Sequence, residues 1–320
     1  MPKTQHFPNS LTEAIRYFAS PDVALEFLAA LRWPGGVTCP ACEAKNPGFL
    51  KTRRIWKCRE CGRQFSVKLG TIFEDSPIGL DKWLPALWLL ANAKNGISSY
   101  ELARGLGVTQ KTAWFMLHRI RAAMESKTFR KLSGDVEADE SFIGGLAKFM
   151  HQSKRKRMVR GTGGMDKTAV FGVLERSTPG KPSHVIAQVV TRIRKRDLHA
   201  KVQALVEAGA DPHTDALRSY RGLEETYRHH VIDHAVAYVE GKVHTNGLEN
   251  FWSLLKRTIK GTYISIDPFH VPAYLAEQVH RFNNRGTNDR GRFLDVLHGI
   301  IGKRLTYRDL TGADVSPATT

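Results

Sequence analysis

The chain of 320 residues lacks an apolar run long enough to cross a membrane. The apolar stretch from Trp83 to Ala93 is shorter than the roughly 20 residues that a membrane-spanning helix needs, and it contains Pro85 and Asn92. The N-terminus also lacks the basic-then-apolar pattern of a secretory signal. We therefore expect a cytoplasmic protein.

Acidic residues are in short supply. Against 48 lysines and arginines stand 31 aspartates and glutamates, so the formal charge is +17 and the pI is about 9.9. Because no lipid-facing segment accompanies this surplus, it favours nucleic acid over a membrane as the polyanionic partner. The hydrophobic share of 42% is that of an ordinary globular protein, and the length allows two or three domains.

Cysteine is scarce as well, but its four copies are regularly spaced. Cys39 and Cys42 form one Cys-x-x-Cys pair, and Cys58 and Cys61 form a second. Disulfides are unexpected in a cytoplasmic protein, whereas two such pairs predict a closed tetrahedral Zn²⁺ site. A redox pair or free thiols are the alternatives. Basic residues near the cysteines are candidates for contact with the DNA backbone: Arg53, Arg54 and Lys57.

A predicted helix-turn-helix follows the zinc ribbon. Periodicity indicates helices over residues 81–94, 98–106 and 110–124, with a turn at residues 107–108. In such a motif the second helix enters the major groove. The candidate DNA-facing side chains are Gln110, Lys111, Thr112, Trp114 and Arg119. A three-helix packing unit without DNA contact is the alternative.

A basic segment follows the first strand of the second half. Its core residues are Lys154, Arg155, Lys156 and Arg157. We predict a mobile loop that clamps DNA; a merely solvated run of charge is the alternative.

Four residues in the second half indicate phosphoryl transfer. Asp139 and Asp215 lie in strand-like segments, and Glu249 lies in a helical one that also contains Lys256. The seven-residue step from Glu249 to Lys256 is close to two helical turns, so both share one helix face. Carboxylates that converge from two strands and a helix hold a pair of Mg²⁺ ions roughly 3.5–4 Å apart, and a nearby lysine suits phosphate.

The predicted fold class is multidomain α+β. We expect an N-terminal helical lead-in over residues 1–34, a zinc ribbon over 35–69 and a helix-turn-helix domain over 70–130. A catalytic domain with a mixed sheet flanked by helices is expected over residues 131–312, followed by a disordered tail over 313–320.

The chain resembles bacterial insertion-sequence transposases that carry a zinc ribbon and a helix-turn-helix ahead of an RNase H-like core, the core shared by DDE transposases and retroviral integrases. The resemblance covers roughly residues 10–300. It rests on the two cysteine pairs and on the motifs at residues 70–73, 139–145, 214–215, 244–252 and 282–285. The step of 34 residues from Asp215 to Glu249 (249 − 215) and the lysine seven residues later are similar to that superfamily's pattern.

The resemblance implies two in-line displacements. Water cleaves the phosphodiester at each element end, and the freed 3′-hydroxyl then attacks target DNA. Asp139, Asp215 and Glu249 are expected to hold Mg²⁺ or Mn²⁺, Lys256 to position a phosphate, and His244 to support it. The implied partners are double-stranded DNA, both terminal inverted repeats and target, and further copies of the chain in a homo-oligomer on paired ends. A bacterial, nucleoid-associated location follows from the same resemblance.

The third metal ligand has two candidates. The family is described with either Glu or Asn there, and both Asn246 and Glu249 lie on one helix. We favour Glu249 because a carboxylate binds Mg²⁺ better than an amide does. Glu137, Glu140 and Asp233 are weaker candidates.

Three other functions stay open from sequence alone. They are a DNA-binding regulator, a metal-dependent nuclease without strand joining, and a decayed copy that binds DNA without chemistry. The intact acidic triad argues against the first and the third.

Overall fold

A computed structural model describes residues 7–125, 130–144, 167–232 and 244–312. The chain divides into two compact units, residues 1–124 with 287–320, and residues 125–286. Helices and two sheets occur in this structure, so the predicted multidomain α+β class is confirmed. Several predicted features lie outside the described residues: Lys154, Arg155, Lys156, Arg157, Asp233 and the tail at 313–320.

The first unit combines a small sheet with helices. Its strands are β1 (Gly48–Leu50), β2 (Ile55–Lys57) and β3 (Gln64–Phe65), paired antiparallel in that order. Its helices are α1 (Leu11–Phe18), α2 (Pro21–Arg32), α3 (Leu80–Asn92), α4 (Ser99–Leu106), α5 (Gln110–Met124), α9 (Asp289–His298) and α10 (Tyr307–Thr311). No helix among the described residues is long and apolar enough to span a membrane.

The first helix of the predicted helix-turn-helix, α4, has clear local causes. Ser98 caps its start with a capping box, in which the Ser98 hydroxyl accepts the Glu101 N–H and the Glu101 carboxylate accepts the Ser98 N–H. Gly107 ends this helix with φ of 62°, a left-handed conformation that glycine adopts readily. The turn and α5 follow at the positions that the sequence predicts.

The C-terminal helices group with the first unit. Phe293 in α9 is fully buried, and its ring centroid lies 4.9 Å from that of Trp88 in α3. Asn92 accepts a 2.8 Å hydrogen bond from Arg292 Nε and donates to the Asp289 carbonyl. Residues 287–312, which the sequence assigned to the catalytic domain, therefore pack on the core of the first unit.

The second unit is built on a five-stranded mixed sheet. Its strands are β4 (Asp135–Ile143), β5 (Thr168–Glu175), β6 (His184–Val190), β7 (Asp211–Asp215) and β8 (His230–Ile232), and its helices are α6 (Lys195–Leu205), α7 (Asn246–Thr258) and α8 (Val271–Asn283). The strand order is β6-β5-β4-β7-β8, with β4 central, antiparallel to β5 and parallel to β7.

Each face of this sheet has its own buried core. Val136 and Ala138 of β4 belong to the cluster that includes Val202 of α6. The other cluster includes Leu248 and Trp252 of α7. Because side chains alternate along a strand, Glu137 and Asp139 share the face opposite to that of Val136 and Ala138, which is the face toward α7.

Candidate functional site

Asp139 lies on the central strand β4 and is fixed by α7. The indole Nε1 of Trp252 donates a 2.9 Å hydrogen bond to Asp139 Oδ2. The Trp252 ring lies directly over Gly172 of β5, where an added Cβ would come within 2.7 Å of a ring carbon. The glycine thus admits the indole, and the indole holds the carboxylate.

Asp215 is the last residue of β7, which runs parallel to β4. The parallel register pairs Glu137 of β4 with His213 of β7, so two residues further along the strands Asp215 lies next to Asp139. One oxygen of Asp215 accepts the backbone N–H of Leu217 at 3.1 Å.

Glu249 approaches from the helix. It lies in the first turn of α7, is exposed, and accepts a 3.4 Å hydrogen bond from the Thr245 hydroxyl. Glu249 lines a cleft of about 560 Å³ together with Asp139, Glu140 and Lys256. Asn246, the first residue of the same helix, is exposed and is not one of the described residues that line this cleft.

The three acids interact electrostatically. Burial raises the pKa of Asp139 to about 6, and the negative charges of Asp215 and Glu249 add to this rise. The hydrogen bond from Trp252 acts in the opposite direction. Asp139 therefore lies in a field that disfavours its own charge and favours a bound cation.

Glu140 is a further acid at the cleft whose surroundings the sequence did not reveal. Its carboxylate accepts a hydrogen bond from the hydroxyl of Tyr220, a buried residue of the opposite core cluster. Burial raises the pKa of Glu140 to about 8, and the charges of Asp139 and Asp215 contribute. Strand alternation places Glu140 on the face of β4 opposite to that of Asp139, and the hydrogen bond to Tyr220 agrees with this.

Lys256 supplies positive charge to the cleft. Burial lowers its pKa, while the negative charge of Asp139 raises it. Arg257 and Lys260 line the same cleft. A site with several carboxylates and three basic side chains is suited to a metal-associated phosphate.

Four thiols form the second site. The Sγ atoms of Cys39 and Cys61 lie 3.7 Å apart, and those of Cys42 and Cys58 lie 3.6 Å apart. Zn–S bonds of about 2.3 Å in a tetrahedron give sulfur–sulfur distances of about 3.8 Å, so this donor set fits structural zinc. Among the described residues, no other group of three or more His, Cys, Asp or Glu side chains has ligand atoms all within 4.8 Å of one another.

Comparison with known proteins identifies two matched regions of the chain. Residues 131–283 match the ISXO2-like transposase domain, and residues 19–64 match the transposase zinc-ribbon domain. A protein of Halobacterium salinarum, described as an uncharacterized protein in transposable element ISH50, is 32% identical over 256 residues, which cover 76% of this chain and 84% of the relative. The chain belongs to the ISXO2-like transposases.

The predicted DNA-facing residues of this transposase differ in exposure. Arg119 is a correction to the prediction: only 4% of it is exposed, and its guanidinium donates to the carbonyls of Ile72, Glu74 and Leu305. Periodicity did not reveal this because the three carbonyl partners lie 47, 45 and 186 residues away along the chain.

The remaining candidates on α5 lie near its start. Lys111 is exposed, whereas Gln110 donates a 2.8 Å hydrogen bond to the Ser99 hydroxyl. Thr112 shares a hydrogen bond with Thr109, and the half-buried Trp114 packs edge-on against His118. Among these four candidates, Lys111 is the charged side chain that is exposed to solvent.

The ribbon candidates are all exposed. Arg53 and Lys57 are solvent-accessible, while Arg54 forms a 2.6 Å ion pair with Asp22 of α2.

The zinc-ribbon match begins at residue 19, within the segment that the sequence assigned to a separate lead-in ending at residue 34. Helix α2 thus belongs to the matched region.

Proposed function

We propose that this transposase cleaves insertion-sequence ends and joins them to target DNA by Mg²⁺- or Mn²⁺-dependent phosphodiester transfer. One observation carries the proposal: the register of β4 and β7 sets Asp215 beside Asp139, and Glu249 and Lys256 of α7 line the same cleft as Asp139. The order of the mixed sheet, with β4 central, supports an RNase H-like core.

The donor set fits hard divalent ions. Carboxylate oxygens are the ligands that Mg²⁺ prefers, and the mutual repulsion of these acids is relieved by a cation. Two ions about 3.5–4 Å apart are compatible with carboxylates more widely spaced than 4.8 Å, because different acids then contact different ions. When bound, such ions activate the attacking oxygen and stabilise the leaving one.

The protein's own residues have distinct roles in this scheme. Asp139, Asp215 and Glu249 would hold the ions, and Trp252 orients Asp139 by its hydrogen bond. Lys256 would bind a phosphate of the DNA. We prefer Glu249 to Asn246 as the third ligand because Glu249 lines the cleft with Asp139.

DNA contact is proposed for three regions of the chain. These are the ribbon around Arg53 and Lys57, the start of α5 at Lys111 in a helix-turn-helix, and the basic segment with Lys154, Arg155, Lys156 and Arg157. Assembly as a homo-oligomer on paired ends and a cytoplasmic, nucleoid-associated location stay predictions.

A strand-transfer assay with labelled element-end DNA tests the proposal. We expect Asp215→Asn and Glu249→Gln to abolish cleavage and joining, and Asn246→Ala to retain activity. The exposed Glu207→Gln is the matched carboxylate control. Full joining by Asp215→Asn overturns the assigned mechanism, and loss in Asn246→Ala with activity in Glu249→Gln reverses the choice of third ligand. Cleavage without joining by the unmodified protein favours the nuclease alternative.

A further inference from the structure

Glu137 is a buried carboxylate with both oxygens engaged. It is 1% exposed and lies two residues before Asp139 on the same face of β4. One oxygen accepts Arg176 Nε at 2.9 Å, and the other accepts the backbone N–H of Leu248 at 2.9 Å. Leu248 is the third residue of α7, so its N–H has no acceptor within the helix.

The acceptor for this helix end therefore comes from a distant strand. Thr245, the residue before α7, does not cap the helix with its side chain, and its hydroxyl is directed to Glu249. The positive end of the helix dipole also favours a carboxylate there. Gly247 makes the approach possible, because a Cβ at that position would lie 2.8 Å from a Glu137 oxygen.

Arg176 completes the connection. Its side chain is 16% exposed, and its guanidinium binds Glu137 and also donates to the carbonyl oxygen of His244, two residues before α7. His244 Nδ1 lies 3.1 Å from the same arginine. The buried negative charge is thus compensated by a cation and a helix terminus, as a stable buried carboxylate requires.

We propose that Glu137 and Arg176 are positioning residues that fix the first turn of α7 on β4 and so set Glu249 relative to Asp139. The geometry is direct: Leu248 precedes Glu249 by one residue, and Glu137 precedes Asp139 by two. The two acids are carried by the same two elements that this contact joins. The inference rests on the proposed metal-binding function of these acids.

A purely structural role predicts a different result from a positioning role. If the contact only stabilises the fold, its loss lowers the melting temperature and leaves metal affinity unchanged at temperatures where the protein is folded. If it positions Glu249, metal affinity falls in the folded protein. Removal of residues that orient metal ligands typically weakens affinity about 10–100-fold.

Terbium luminescence sensitised by tryptophan measures this affinity without catalysis, since Trp252 is hydrogen-bonded to Asp139. The site-specific signal is the part of the Tb³⁺ luminescence that the substitution Asp139→Asn removes. We expect Glu137→Gln and Arg176→Gln to weaken Tb³⁺ binding about tenfold or more. Val202→Ala, in the core on the opposite sheet face, is the control for stability loss alone and should bind Tb³⁺ as the unmodified protein does.

Gly247→Ala tests the contact from the helix side and decides the matter if Glu137→Gln does not fold. The added Cβ displaces the carboxylate without removing charge, and we expect Tb³⁺ binding to weaken in the same direction. Unchanged affinity in folded Glu137→Gln, or in Gly247→Ala when the first variant is unfolded, overturns the inference. If instead Asp139→Asn removes no Tb³⁺ signal, the proposed metal site itself fails.

Discussion

Trp252 Nε1 lies 2.9 Å from Asp139 Oδ2, and this hydrogen bond joins α7 to the central strand at the acid proposed to bind metal. The same indole packs over Gly172 of β5. Three separate segments of the chain thus define the position of one carboxylate. A change at Gly172 or at Trp252 should therefore affect both stability and chemistry.

Gly172→Ala is expected to be harmful because its Cβ would lie 2.7 Å from the Trp252 ring. Overpacking of this kind costs about 1–3 kcal/mol, which urea unfolding measures, and displacement of the indole should reduce DNA cleavage as well. Gly105→Ala is the matched control, since nothing lies within 4 Å of its Cβ and it is inside helix α4. Equal stability of the two variants would contradict the packing argument.

Trp252→Phe keeps a large aromatic ring and removes the N–H donor. We expect a stability loss of about 1 kcal/mol, typical of one hydrogen bond, and a larger loss of cleavage, about tenfold, because Asp139 is no longer oriented. Circular dichroism melts and cleavage of labelled DNA provide the two measurements. Undiminished cleavage would indicate that the indole has a packing role only.

Local sequence pattern was sufficient for the elements that carry the acids. Alternation along β4 predicts that Glu137 and Asp139 share a face, and the contacts to Leu248 and Trp252 of α7 agree. The seven-residue step predicts that Glu249 and Lys256 share a helix face, and both line one cleft. These features depend on periods of 2 and 3.6 residues, which the chain itself displays.

Long-range packing explains what the sequence did not reveal. An apolar face on α9 indicates that the helix is half-buried, but not that Phe293 meets Trp88. The pattern on α5 predicts a surface position for Arg119, yet its guanidinium donates to backbone carbonyls of two distant segments and the residue is buried. Glu137 has two distant partners. Arg176 follows it by 39 residues, and Leu248 at the N-terminus of α7 follows it by 111 residues.

Zinc removal should unfold the ribbon. The three strands of the ribbon are only two or three residues long, so the metal that joins the two cysteine pairs supplies much of the ribbon's stability. We expect one tightly bound zinc per chain by elemental analysis and its loss in Cys58→Ser. Zinc-free protein with an unchanged melting profile would contradict the site, and Ser66→Ala provides a control outside the cysteines.

Lys111 and Arg119 should respond differently to substitution by alanine. Lys111 is exposed at the start of α5, so its loss should weaken DNA binding. The slope of log affinity against log salt concentration should decrease by about one, because one phosphate contact fewer releases about one counterion fewer. Arg119 is buried on backbone carbonyls, so its loss should lower the free energy of unfolding by about 2–4 kcal/mol. Fluorescence anisotropy across salt concentrations and urea unfolding separate the two effects. A stable Arg119→Ala protein with weakened DNA binding would reverse this assignment.

Glu175 makes the stability of the second unit depend on pH. Burial alone would raise the pKa of Glu175, but hydrogen bonds from Arg130, Lys181 and Ser133 outweigh it and lower the pKa to about 2. Between pH 4.5, the ordinary pKa, and about pH 2 the unfolded chain binds more protons than the folded chain does. The contribution of Glu175 to the free energy of unfolding is therefore present above pH 4.5 and is lost as the pH falls. Because Arg130 and Lys181 are about half exposed, solvent screening limits it to about 1–2 kcal/mol. Urea unfolding of Glu175→Gln should show this loss of unfolding free energy at pH 7 and a smaller loss below pH 4.5. The control Glu225→Gln, at an exposed position, should show no loss at either pH. A loss that does not change with pH would attribute the effect to packing.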